Sequence, residues 1–247
     1  HDTRIAALFS ADADLDLLQH DLLRSLGLKN LPAHAILALP DRDWQREWWK
    51  DFQPMRFGKR LWICPGDSTA EVKDAVTVRL DPGLAFGTGT HATTALCLDW
   101  LDGLLLRHKT ILDYGCGSGV LAIAALLLGC DSAAAMDIDA QAITATESNA
   151  RRNNVAKRLS LHSDAASIAG SFDVVVANIL ADPLITHAKT IATHVRHGGL
   201  LALSGLLSGQ VDEVMRAYQP WIEFEQPAFR DQDGQSWARL SGRRIEG

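Results

Sequence analysis

The chain has 247 residues, 47% of them hydrophobic, and a formal net charge of −6. That suits a water-soluble protein with one large domain and a smaller one, and a negative balance with no basic run longer than two residues argues against direct nucleic-acid binding. No apolar stretch reaches the roughly 18 residues of a membrane span, no secretory leader is recognisable, and Cys64, Cys97, Cys116 and Cys130 show neither a C-x-x-C pair nor a metal-ligand spacing, so reduced thiols, no metal and a cytoplasmic location are expected.

Residues 1–39 read as part of a small α/β unit. Arg4–Phe9 and Ala35–Leu39 predict strands. Asp12–Leu26 predicts a helix, with Leu15, Leu18, Leu22, Leu23 and Leu26 at helical spacing and Gly27 as its stop. Two strands and a helix bury too little to stand alone, and the sequence starts at His1 rather than methionine, so an opening strand and helix of this unit are expected to be missing. Residues 40–54 predict a linker helix. Its DRDWQREWWKDF run places Trp44, Trp48 and Trp49 for packing between domains or, less simply, for a substrate cage. Residues 55–80 predict a β-hairpin made of Phe57–Ile63 and Ala75–Leu80, with Pro65-Gly66-Asp67 starting the loop.

Asp81 to His91 is glycine-rich and leads into a predicted helix, Ala92–Leu106. No phosphate-loop lysine follows, which disfavours a Walker-type site. Phe86-Gly87-Thr88-Gly89 suggests a lid over a ligand, with Phe86 touching it. Thr93 and Thr94 fall in the first helical turn, where a hydroxyl can cap or bind. His91 is open to two readings, a base or a maker of local hydrogen bonds.

The stretch Asp113-Tyr114-Gly115-Cys116-Gly117-Ser118-Gly119 lies between a short buried strand, Thr110–Leu112, and an apolar helix, Val120–Leu128, stopped by Gly129. Such a turn lets a backbone approach a ligand, and the helix start offers unpaired N–H groups. A dinucleotide fingerprint needs its third glycine where Val120 stands. Asp113 would also repel a pyrophosphate, whereas beside an ammonium group it would attract. The pattern therefore favours a cationic ligand such as S-adenosylmethionine, with Asp113, Gly115 and Gly117 as contacts.

Ala133–Asp139 reads as a second strand ending in acids. Asp137, at its C-terminal end, can accept hydrogen bonds from both ribose hydroxyls, while Asp139 serves as N-cap of a helix, Ala140–Asn153. Leu159–His162 is a third strand. Asp164 after it either meets the adenine amino group or is a plain loop acid. Phe172–Asn178 is a fourth strand, apolar enough to be buried on both faces, and Asn178 closes it level with the glycine turn. Asp182 and Pro183 then predict the cap and first turn of a helix running to Val195. Gly198–Gly205 is a fifth strand and Ser208–Tyr218 a helix. Ile222–Phe229 and Ser236–Gly242 are two last strands, antiparallel around the polar Asp231–Gly234 turn.

In order and spacing, the segments DRDWQREWWKDFQPMRFGKRLWI, DPGLAFGTGTH-ATT, DYGCGSGVLAIAAL, DIDAQAI and VVVANILADPL resemble those of the ribosomal protein L-eleven methyltransferases. The resemblance runs from about Asp41 to Gly242. It implies an α/β fold: a Rossmann-like, seven-stranded class I methyltransferase sheet over 55–247, with its catalytic core at 81–247, preceded by a small, truncated α/β substrate-recognition domain. Carried over position by position, it implies cofactor contacts at Thr94, Gly115, Asp137 and Asn178. Ala92 stands where relatives often have proline, and Tyr114 where another aromatic is common. The implied reaction transfers methyl groups from S-adenosylmethionine to lysine ε-amino and N-terminal α-amino groups of ribosomal protein L-eleven. Asn178 and the backbone of Ile179 and Leu180 would position the amine. A monomer is expected. Three alternatives stay open: a methyltransferase for another protein or a small amine, a nicotinamide oxidoreductase, and a non-catalytic cofactor-binding module.

Overall fold

A computed structural model describes residues 7, 9–10, 13–32, 34–37, 53–66, 68, 70, 72–80 and 90–245. The predicted linker helix with its three tryptophans, most of the Arg4–Phe9 strand, and the Phe86–Gly89 lid lie outside the described residues. The chain divides into two units, His1–Trp44 and Gln45–Gly247.

In the first unit, α1 spans Leu15–Leu26. Asp14 caps it by accepting from the Asp16 and Leu17 backbone N–H groups, and Gly27 ends it. The described part of the expected Ala35–Leu39 strand, residues 35–37, has no strand geometry.

The second unit opens with β1 (Met55–Phe57), β2 (Leu61–Pro65) and β3 (Val76–Leu80), which form a sheet in the order β1-β2-β3. The expected hairpin between 57–63 and 75–80 is corrected here. The tight antiparallel pair is β1 with β2, and β3 runs parallel to β2. The turn falls inside the predicted first strand, at Gly58–Arg60. Two carboxylates from the end of the following helix, α2 (Ala92–Asp102), hold it there: Asp99 accepts from Gly58 N–H, and Asp102 from Lys59 and Arg60 N–H.

The main sheet contains β4 (Thr110–Tyr114), β5 (Ser132–Met136), β6 (Leu159–His162), β7 (Phe172–Asn178), β8 (Val195–Leu207), β9 (Ile222–Phe224), β10 (Ala228–Gln232) and β11 (Gln235–Arg244). Its order is β10-β11-β8-β7-β4-β5-β6, with β9 beside the end of β11. Strands β4 to β8 are mutually parallel; β11 is antiparallel to β8. The predicted Ile222–Phe229 strand is two strands. Pro227, which has no N–H to give, lies between them. The predicted four-residue turn is a two-residue one, Asp233-Gly234, both with positive φ, as a tight hairpin of this hand requires.

The remaining helices are α3 (Val120–Leu128), α4 (Ala140–Arg152), α5 (Ala181–Thr186), α6 (Ala188–His194) and α7 (Val211–Tyr218). The single helix expected after Asp182 is broken at His187. Its cap is Leu180, whose backbone is extended, rather than Asp182.

Successive strand residues point to opposite faces, and both faces are buried. Ile111, Val174, Val176 and Ala202 pack with α3 and the β1–β3 sheet; Leu112, Val175, Ala177, Leu201 and Leu203 pack with α5, α6 and α7. Burial on both sides is why these strands read as continuous apolar runs. The chain passes outward from β4 to β5 and β6, then returns to the other side of β4 as β7. That reversal puts a crevice at the C-terminal ends of β4 and β7, where ligands bind in sheets of this kind.

Candidate functional site

The glycine turn leaves β4 at the reversal point. Gly115, Gly117 and Gly119 all have positive φ, and a Cβ on Gly115 would strike the side chain of Ile179, just past the end of β7. The turn is pinned across the sheet, because Gly115 and Cys116 N–H both donate to the Met136 carbonyl at the end of β5. Asp137 follows immediately. Its Oδ2 accepts from Gly117 N–H at 2.9 Å and its Oδ1 from Asp139 N–H at 3.0 Å. Two amides thus fix the carboxylate at the strand tip and leave further lone pairs for a ligand's hydroxyls. Asp139 caps α4 through Gln141 N–H, as its position predicts.

Asp113 is only 1% exposed, and its Oδ2 accepts from Ala122 N–H in the first turn of α3. Its other oxygen, buried, has no hydrogen-bond partner. Burial pushes its pKa up to about 7; the Ala122 N–H opposes the shift and the Asp137 charge adds to it. Asp113 is thus a buried carboxyl at the base of the turn, poised between its neutral and ionised forms, rather than an acid on its surface. A nearby cation would favour its ionised form.

Across the crevice, Asn178 Nδ2 donates to Thr94 Oγ1 at 3.1 Å, joining groups 84 residues apart. Thr94 is fully buried in the first turn of α2. The bond occupies one face of the Asn178 amide and leaves its carbonyl oxygen as an acceptor. The backbone beyond it is engaged. A Cβ on Gly205, which has φ +89°, would collide with the Ile179 carbonyl, so that peptide lies hard against β8. The Leu180 carbonyl accepts the Leu184 N–H that opens α5. The Leu180 side chain is exposed. Asp164 is also exposed and caps a short 3-10 turn through Ala166 N–H. Its charge helps raise the Tyr114 hydroxyl pKa, behind the larger effect of burial. Phe86 lies outside the described residues.

His91 is the N-cap of α2: its ring accepts from Thr93 N–H, and its edge meets Trp237 with centroids 4.5 Å apart. These are the local hydrogen bonds of its simpler reading. The start of α2 is held by the last hairpin. Ala92 N–H donates to Gln232 Oε1 at 2.6 Å, and Arg239 Nη1 donates to the Leu96 carbonyl at 3.0 Å.

Sequence reasoning passed over Ile138. It is 90% exposed between the two acids, offering an apolar face beside Asp137; its only signal is an apolar residue in a polar loop. A cleft of about 470 Å³ lies elsewhere. Trp100, Glu225, Arg239 and Ser241 line it, and no predicted site residue does.

The groups at the reversal point suit S-adenosylmethionine. The glycine turn admits a close ligand, Asp137 can take ribose hydroxyls, and Asp113 supplies negative charge near a cation. Among the described residues no group of acids, histidines and cysteines could hold a metal ion, and no helix is long and apolar enough to cross a membrane.

A family model described as ribosomal protein L11 methyltransferase (PrmA) matches residues 1–245. Ribosomal protein L11 methyltransferase from Pseudomonas putida strain W619 is 53% identical over 244 residues, which cover 98% of this chain and 82% of that protein. The enzyme of the same description from Shewanella piezotolerans is 51% identical over 243 residues, 97% of this chain and 81% of its own. Among solved structures, the ribosomal protein L11 methylase of Lactobacillus delbrueckii subsp. bulgaricus superposes with a TM-score of 0.70 at 32% identity, covering 79% of this chain and all of that one.

Proposed function

Because the chain belongs to the ribosomal protein L11 methyltransferase family, we propose that it methylates ribosomal protein L11 on lysine ε-amino groups and on the N-terminal α-amino group. It is an S-adenosylmethionine-dependent protein methyltransferase with a class I Rossmann-like sheet. The observation that carries the reading is the convergence at the strand reversal. There the Asn178–Thr94 pair stands on one side of β4, and the Asp137–Gly117 pair on the other.

Bound there, the cofactor supplies an electrophilic methyl group. Asp137 would hold the ribose, Ile138 and Asp164 the adenine, and the Gly115–Gly117 backbone and the buried Asp113 charge the cationic amino-acid end. Thr94 holds the Asn178 amide in one orientation, so Asn178 Oδ1 is the acceptor that aims the substrate amine. The Leu180 carbonyl already accepts from Leu184 N–H, and the Ile179 peptide is packed against Gly205, so this backbone has a secondary part.

The amine must arrive neutral. For a lysine of pKa about 10.4, deprotonation at pH 7 costs roughly 4–5 kcal/mol, against about 1 kcal/mol for an α-amino group. Desolvation lowers an amine pKa, so the work falls to positioning more than to a strong base. The net charge of −6 is compatible with a basic protein partner and disfavours nucleic acid; a single chain is the proposed working unit and the cytoplasm, where ribosomal protein is modified, its proposed setting.

The test is the intact mass of purified L11 after incubation with enzyme and S-adenosylmethionine. Mass steps of about 14 Da are expected, one for each methyl replacing a hydrogen. An unchanged mass with cofactor bound moves the substrate to another protein or small amine.

A further inference from the structure

Helix α4 is polar, yet three of its polar side chains are buried: Thr146, Asn149 and Asn153, the last at its C-cap. They fall at i, i+3 and i+7, one stripe on one face. Thr146 Oγ1 donates to the Gly117 carbonyl at 2.9 Å, and Asn149 Nδ2 to the Ser118 carbonyl at 2.9 Å. The Cys116 sulfur sits 3.3 Å from Thr146 Oγ1. Burial raises the Cys116 thiol pKa well above its ordinary value, so the thiol keeps its proton and can donate to that hydroxyl. Asn153 extends the stripe to the other sheet. Its Oδ1 accepts from Arg79 N–H at 2.8 Å, while its Nδ2 donates to the Arg79 carbonyl at 2.7 Å and to the Asn149 carbonyl at 2.8 Å. One amide side chain therefore pairs with an edge residue of β3 as a neighbouring strand would.

Gly117 is consequently gripped from both sides. Its carbonyl is held by Thr146, and its N–H is held by Asp137 Oδ2. Moving the Gly117 peptide moves the carboxylate that faces the ligand.

We infer that the Thr146–Asn149–Asn153 stripe is a set of positioning residues for the cofactor, fixing Asp137 through Gly117 and bracing the glycine turn against β3. The inference rests on the proposed cofactor site. Its test is calorimetric titration of S-adenosylmethionine into wild type, Thr146→Val, Thr146→Ser, Asn153→Ala and, as a stability control on the opposite face of the sheet, Tyr218→Phe. The control removes the buried hydroxyl bond to the Leu184 carbonyl.

Thr146→Val should weaken binding about tenfold, the size of one lost buried hydrogen bond, with kcat at saturating cofactor nearly unchanged. Thr146→Ser should restore it. Asn153→Ala should weaken it less, and Tyr218→Phe should lower Tm while leaving Kd alone. If Thr146→Val and Asn153→Ala lose Tm but keep the wild-type Kd, the brace is wrong while the cofactor reading stands. If wild type binds no S-adenosylmethionine, the cofactor reading fails first and takes the brace with it.

Discussion

The two ends of the parallel sheet each hold a buried aspartate, treated in opposite ways. At the end away from the crevice, Asp173 is 7% exposed. Burial works against its charge, yet its pKa is held below the ordinary carboxylate range by the Thr110 N–H and hydroxyl, Lys109 at 3.3 Å and Arg196 at 2.8 Å. At the crevice end, Asp113 has one backbone N–H and a bare oxygen, and its pKa rises to about 7. One residue type thus has opposite tendencies, because Asp113 is both the more deeply buried and the poorer in partners. Asp173 is satisfied and serves the fold. Asp113 is left short of partners where a cation is expected to arrive.

That contrast can be broken at several points. The largest effect should come at the crevice end, where Asn178→Ala removes the acceptor proposed to aim the amine. Turnover should fall about 100-fold, or roughly 2.7 kcal/mol of barrier, with Tm little changed; single-turnover methylation of L11 measures it. At the far end, Asp173→Ala leaves two cations and the Thr110 N–H without their acid. Lys109 and Arg196 are about half exposed, so the loss should be about 2 kcal/mol rather than the full cost of a broken buried pair. That is about 6 °C in Tm for a chain of this size, with cofactor Kd unchanged. Loss of binding without loss of Tm would reverse the assigned roles.

Smaller effects sharpen the comparison by pH. The raised pKa of Asp113 means its ionisation opposes folding. Its linked stability is whole below about pH 4 and is lost as pH climbs to about 7. Asp113→Asn should therefore flatten the Tm profile between those values. Cofactor affinity should run the other way in wild type, rising toward pH 7 as Asp113 ionises, and Asp113→Asn should remove the slope. Proton release on binding near pH 6.5, read by calorimetry in buffers of different ionisation enthalpy, gives the same answer independently. The smallest change should come from Glu147→Ala, which cuts an exposed i, i+4 pair with Arg151. Less than about 0.5 kcal/mol is expected.

The elements that carry the site were legible in the sequence because their signals are local. β4, the glycine turn and α3 follow from apolar runs and glycine spacing. The Asp139 cap and the Asn178 strand end follow from residues at boundaries. What escaped is held by distant partners. Gly58–Arg60 read as strand because the carboxylates that make it a turn come from Asp99 and Asp102. β9 and β10 read as one strand although Pro227 lies between them; their separate pairings with β11 are what set the two apart. Thr146, Asn149 and Asn153 carried no signal in the sequence, since the carbonyls they bond lie around 30 to 74 residues earlier.

The grip of the last hairpin on α2 has a consequence for timing. Thr94 belongs to a helix whose first N–H is satisfied by Gln232, 140 residues later, and whose body is tied to Arg239. During synthesis, β4 and its glycine turn leave the ribosome well before those partners exist. The nascent chain can pair its early strands, but α2 waits, and with it the Thr94 hydroxyl that orients Asn178. Contacts of such long sequence separation close late. Methyl transfer should therefore switch on only as the final strands are released, and a ribosome stalled before Gln232 should display a polypeptide that is partly folded and silent.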